Sequence, residues 1–231
     1  MDVSGSSFAN QLMVFSNPQI QAYSSSEFDD LGNAYSAPIS HEIAAQSYIS
    51  PEERRENISG FKLDRELSDR RHAIYKHQRD KRVVTGFRGT DSKNPRDIAT
   101  DLALTVGAFK RTKHSKDAVK KQQEVYAKYG KDNTYHLSGH SLGSKTSRYV
   151  HKRLPKTTTS SVGFNTPGSI TENVADTFMG SGLRNKKQKL SRIDFINRTD
   201  PVSIFAHKDG RQRKRLQNGY SPHDLAQWYN Q

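Results

Sequence analysis

The chemistry-bearing feature of this 231-residue chain is Gly139-His140-Ser141-Leu142-Gly143, a serine with glycine two positions away on either side. Before it, Thr134 to Ser138 reads as a short strand; after it, Leu142 to Leu154 reads as a helix stopped by Pro155. A strand-to-helix turn this sharp holds the serine in a strained backbone conformation, with its hydroxyl raised above the sheet. Glycine is needed on both sides because a Cβ there would strike the neighbouring strand or helix. The helix N-terminus behind Ser141 favours the negative charge that develops when a hydroxyl attacks an acyl carbon.

A serine nucleophile needs a base and an acid that orients it, and with this motif the chain order is serine, acid, histidine. Of the nine histidines, only His207 and His223 follow Ser141 with an acid suitably between. His151, inside the helix after the serine, reads as a surface residue. Asp200 stands in Arg198-Thr199-Asp200-Pro201, just past the apolar strand Arg192 to Asn197, and Pro201 keeps the strand from continuing. Its rival Asp194 alternates with apolar residues inside that strand and would point across the sheet. His223, in Ser221-Pro222-His223-Asp224, sits where a loop becomes a helix and can swing between carboxylate and hydroxyl. It is favoured over His207, which lies only seven residues past Asp200 and leaves little chain to reach back. The developing oxyanion needs two donors. The Leu142 N–H supplies one, and Thr90, after Gly86-Phe87-Arg88-Gly89, suits the second, with Arg88 anchoring that loop by ion pairing.

These residues need a scaffold. Ser40 to Ile49 reads as a short helix capped by Ser40, and His72 to His77 with Arg82 to Arg88 as two strands joined by a polar turn. Arg96 to Leu104 suggests a short helix, Lys113 to Tyr129 a long one ending at Gly130, and Pro222 to Tyr229 a short terminal one. Ser161 to Asn165 adds a further strand. Strands alternating with helices imply an α/β fold, with a mainly parallel central sheet flanked by helices. Such sheets carry their reactive groups beyond the carboxyl ends of the strands. Residues 1–39, acidic and rich in serine, read as a flexible segment preceding one domain over residues 40–231.

Charge narrows the partners. The first 50 residues hold no Lys or Arg and five of the 24 acids, so the remaining 181 carry 37 basic against 19 acidic side chains, a net of +18. Basic runs at Lys110 to Lys121, Arg184 to Lys189 and Lys208 to Arg215, the last two in expected loops, suit peripheral contact with anionic membrane. Nucleic acid is the weaker option, since no recognised binding module or aromatic interleaving accompanies them. The absence of cysteine excludes thiol catalysis, disulfides and zinc–thiolate sites. No basic segment leads into an apolar one at the N-terminus and no apolar run approaches spanning length. The expectation is a soluble protein, intracellular or virion-associated.

Taken in order, Val83 to Thr90 (VVTGFRGT), Asp97 to Leu102 (DIATDL), Gly139 to Gly143 (GHSLG), Gly163 to Gly168 (GFNTPG), Thr199 to Val202 (TDPV) and His223 resemble the class 3, fungal-type lipases. The resemblance implies an α/β-hydrolase-like fold and a triad of Ser141, Asp200 and His223. It further implies Thr90 and Leu142 as oxyanion donors and a lid over Asp91 to Asp101, with no metal or organic cofactor. The chain departs from the family at Ser144, where a further glycine is usual, and at Ile98, where the lid usually carries tryptophan. The lid here is polar, whereas one that opens onto oil needs an apolar inner face. The expected activity is therefore hydrolysis of lipid esters through an acyl-enzyme, with A-type phospholipid cleavage ahead of neutral lipid. The alternatives are a catalytically silent hydrolase-fold protein that binds anionic membrane or nucleic acid, and an acyltransferase or peptidase using the same triad.

Overall fold

The computed structural model describes residues 37–90, 109, 112–167, 192–197 and 211–215. These form one mixed sheet of eight strands in sequence order: β1 (Asn57–Ile58), β2 (Phe61–Leu63), β3 (His72–His77), β4 (Arg82–Phe87), β5 (Thr134–His140), β6 (Ser160–Phe164), β7 (Arg192–Asn197) and β8 (Arg211–Arg215). Strands β1 to β4 pair antiparallel, and β4 to β8 pair parallel. Three helices accompany them among the described residues: α1 (Ala37–Gln46), α2 (Lys113–Tyr129) and α3 (Leu142–Arg153). This is the expected α/β architecture.

Period-two alternation along the strands sorts the core into two faces. On one face, Ile43, Ala44 and Ala45 of α1 pack over Phe61, Tyr75, Val84, Val162 and Phe164. On the other, Val125 of α2 meets Ile74, Val83 and Tyr135, while Ala118 of α2 and Val150 of α3 meet Phe87 and Leu137. The β4–α2–β5 and β5–α3–β6 crossovers step in the same direction along the sheet. Crossovers of one hand that step one way lay their helices on one side. The opposite side is left for α1, whose residues 43–45 are essentially buried there.

Local capping follows the sequence. Thr112 opens α2, its hydroxyl accepting the Ser115 amide hydrogen at 3.2 Å, and Gly130 closes it at φ 74° as expected. Helix α1 departs from expectation. It begins at Ala37, so Ser40 lies inside it rather than at its cap, and the Ser40 carbonyl instead accepts the Ser138 hydroxyl at 2.5 Å. Its C-terminus is closed by the buried guanidinium of Arg54, whose Nε donates to the carbonyls of Gln46 and Ile49. The same group reaches His72 O and Asp69 O at 2.8 Å each, fastening α1 to the start of β3.

Two further expectations change. His151 is buried, with Nδ1 2.9 Å from the Thr158 hydroxyl oxygen in the segment that joins α3 to β6. Part of the run Lys208 to Arg215 is strand rather than loop: the backbone of Arg211–Arg215 pairs with β7. The expected helices at Arg96 to Leu104 and Pro222 to Tyr229 lie outside the described residues, as does the expected lid. No helix among the described residues is long and apolar enough to cross a membrane.

Candidate active site

In-register neighbours His72, Phe87, Gly139, Gly163 and Asp194 form one row across β3 to β7. Just beyond it, at the carboxyl end of the parallel strands, β5 turns into α3. Ser141 occupies that turn at φ 54° and ψ −127°, a conformation L-residues adopt only when their surroundings enforce it. Its amide hydrogen is held by Phe164 O of β6 at 2.9 Å, and its carbonyl accepts from the amides of Ser144 and Lys145. The Ser141 hydroxyl does not cap α3, although the residue occupies the capping position.

The glycines meet the steric requirement read from the sequence. A Cβ on Gly139 would lie 2.3 Å from the Gly143 backbone, and one on Gly143 would lie 2.0 Å from Phe87 O. Strand β4, helix α3 and the turn between β5 and α3 therefore meet at backbone contact. Leu142 is the first residue of α3, where an amide hydrogen has no acceptor within the helix and points toward incoming negative charge. Ser141 itself is only 1% exposed.

The loop after β4 is pressed onto this turn. A Cβ on Gly89 would fall 2.6 Å from His140 O and 3.4 Å from Gly143 N, so Gly89 brings half-buried Thr90 alongside the elbow. A residue not anticipated from the sequence holds it there. The Tyr48 hydroxyl, just past α1, accepts the Gly89 amide hydrogen at 3.1 Å. It lies 3.0 Å from His140 Nδ1 and 3.3 Å from His140 O. The guanidinium of Arg88, expected to anchor the loop by ion pairing, lies over the Tyr48 ring at 5.8 Å, and its NH1 donates to Arg70 O at 3.5 Å. Only the β-branched and aromatic spacing of residues 43–49 could have hinted at Tyr48, and that pattern carries no register with residue 89.

Beneath the turn lies a buried polar network. The Ser144 and Thr166 hydroxyls are in hydrogen-bond contact, Thr166 Oγ1 donates to Asp194 Oδ1 at 2.7 Å, and Arg192 NH2 pairs with Asp194 Oδ2. Space for the Ser144 side chain comes from β6: a Cβ on Gly163 would sit 2.1 Å from Ser144 Oγ. The extra side chain at 144 is thus matched by a missing one at 163 and by two polar partners. Asp194, the alternative acid, is enclosed in this network. Asp200, His223 and the competing His207 lie outside the described residues.

A second chain of contacts braces α3 from the helix side. Arg71 NH1 donates to His114 Nδ1 at 3.2 Å, because a guanidinium can only donate. That fixes the proton of neutral His114 on Nε2, which donates to Thr146 Oγ1 at 2.8 Å, and the Thr146 hydroxyl donates to Leu142 O at 2.8 Å. Burial, then the charge of Arg71, pushes His114 down to about 4, so it is neutral in ordinary conditions.

No protein-family model matches the chain, and no curated protein sequence matches it. Among solved structures, it is similar to the Lip2 lipase from Yarrowia lipolytica, at 16% identity over 79% of this chain and 75% of that chain, with a TM-score of 0.49. It is also similar to a triacylglycerol lipase from Penicillium expansum, at 12% identity over 76% of this chain and 77% of that chain, with a TM-score of 0.43.

Proposed function

We propose that this chain is a serine ester hydrolase acting on lipid esters, with Ser141 as nucleophile. The observation that carries the reading is the left-handed backbone at Ser141 between β5 and α3, enforced by two glycines whose Cβ atoms have no room. Strain of this kind persists only where packing over-determines it, and here it presents a hydroxyl at a helix N-terminus.

In the mechanism, His223 takes the Ser141 proton as the hydroxyl attacks the acyl carbon, and Asp200 orients the imidazole. β7 runs parallel to β5 and ends at Asn197, three residues before Asp200, which supports an acid on the elbow's side of the sheet. The oxyanion is received by the Leu142 and Thr90 donors. His223 then protonates the leaving alcohol, activates water, and the acyl-enzyme is hydrolysed. The polar composition of residues 91–97 supports a phospholipid, cleaved at an acyl ester, over neutral oil.

The test uses a fluorophosphonate probe and a short-chain p-nitrophenyl ester. The unsubstituted protein labels and turns over ester, and Ser141→Ala does neither; labelling that survives the substitution ends the assignment. Mass spectrometry of products from mixed liposomes identifies the lipid class.

A further inference from the structure

Four exposed cations from two distant segments gather at the sheet end that carries Ser141. Arg70 and Arg71 precede β3, whose first residue His72 pairs with Phe87, which in turn pairs with Gly139 beside the elbow. Lys113 and Lys116 open α2, and all four side chains are exposed. The two segments are joined by the Arg71–His114 contact, and His114 continues through Thr146 to Leu142 at the elbow. Half-buried Arg88 adds a fifth positive charge, its amide bonded to Arg71 O at 2.9 Å.

Among the described residues, two acids stand near these cations. Asp69 is bonded to His72 Nδ1 at 2.8 Å and paired with Lys121 at 3.4 Å. Half-buried Asp117 is the other acid on this end of α2. Lower on the same helix, Lys120 and Lys121 pair with Glu124, and Lys128 with Asp64 and Glu66. Lys113 and Lys116 make no ion pair among the described residues. Their position also opposes the helix: the first turn of α2 contains no acid, so these lysines stand at the positive end of the dipole. That arrangement costs stability, and contact with an anion would recover it.

We infer that this collar of Arg70, Arg71, Lys113 and Lys116 docks the protein on an anionic phospholipid bilayer with the mouth of the elbow facing the headgroups. Charge complementarity and placement both favour a lipid surface, because the cations rim the one end of the sheet where an ester must enter. The orientation rests on the hydrolase reading; the docking does not.

The experiment is flotation of the full-length protein with vesicles of phosphatidylcholine alone and of phosphatidylcholine with phosphatidylserine. Binding is expected only with the anionic vesicles, falling as salt is added. The triple variant Arg70→Gln, Lys113→Gln, Lys116→Gln should bind on the order of a hundredfold more weakly, about fivefold for each charge removed. A charge-matched control, Lys81→Gln, Lys131→Gln, Lys156→Gln, alters exposed lysines at the opposite end of the strands and should bind as the unsubstituted protein does. Equal weakening of both triples would overturn the inference, since net charge and not the collar would then be responsible. So would salt-insensitive binding, or a collar variant that keeps vesicle binding and loses only binding to a DNA duplex. Probe labelling of the unsubstituted protein reports separately: labelling of Ser141 without binding to anionic vesicles overturns the collar alone, and vesicle binding without labelling overturns the hydrolase alone.

Discussion

The hydroxyl of Tyr48 accepts the amide hydrogen of Gly89 at 3.1 Å, joining the end of helix α1 to the loop that carries Thr90. The two residues are 41 positions apart, and a Cβ on Gly89 would fall 2.2 Å from that hydroxyl. Removing the oxygen alone leaves the ring in place and frees the loop. Tyr48→Phe should therefore lower kcat roughly tenfold with KM little changed, because misplacing a donor weakens the transition state more than the ground state. Steady-state kinetics on a soluble ester separates the two parameters. A change confined to KM would remove Tyr48 from this role.

Gly143→Ala inserts a methyl 2.0 Å from Phe87 O, and neither α3 nor β4 can retreat without breaking the sheet register. The expected loss is about 3 kcal/mol or more, at the upper end for overpacking. Chemical denaturation measures it. A variant as stable as the parent would mean that the elbow is looser than these contacts require.

The two candidate acids should separate by readout. Asp194 is buried against Thr166 and Arg192, so Asp194→Ala breaks a buried ion pair and should cost about 3–5 kcal/mol of stability. Asp200→Asn should leave stability nearly unchanged and lower kcat by about ten-thousandfold at neutral pH, through loss of the histidine's orientation. Should Asp200→Asn retain full turnover, the acid lies elsewhere.

Stability should fall with acidification well before carboxylates titrate. His114 and His136 are both pushed down to about 4, in each case chiefly by burial and then by a nearby arginine. A histidine with a depressed folded value is neutral when folded and protonates first when unfolded. Its stabilisation is complete above about pH 6.5 and is lost as pH falls from there toward 4, on the order of 1–3 kcal/mol for each group. Urea unfolding between pH 7.5 and 4.5 should show this slope, and His114→Gln should flatten it. Below about pH 4 Asp69 adds a further loss. Burial would raise its carboxyl, but the hydrogen bond and charge of His72 hold it well below the usual carboxylate range.

What the residues themselves determined is local. Gly139 and Gly143 around Ser141 dictated a tight strand-to-helix turn, because only a missing Cβ permits that approach. Lys113 to Tyr129 declared a helix by its long charged run and its closing Gly130, and Arg192 to Asn197 a strand by its apolar alternation. Short-range sterics and burial period act within a few residues, so they can be read along the chain. Tertiary packing decided what is contacted across it. Tyr48 could meet Gly89 only once α1 lay on its own face of the sheet. Gly163 could make room for Ser144 only once β6 lay beside α3. His151, read as a surface residue on its own helix, is buried with a contact to Thr158 that no pattern within the helix encodes. Arg70 and Lys113 are 43 residues apart and become one charged rim through the pairing of β3 with β4 and the return of α2 to the same end of the sheet. Such couplings depend on loop closure and sheet order, which local spacing does not carry.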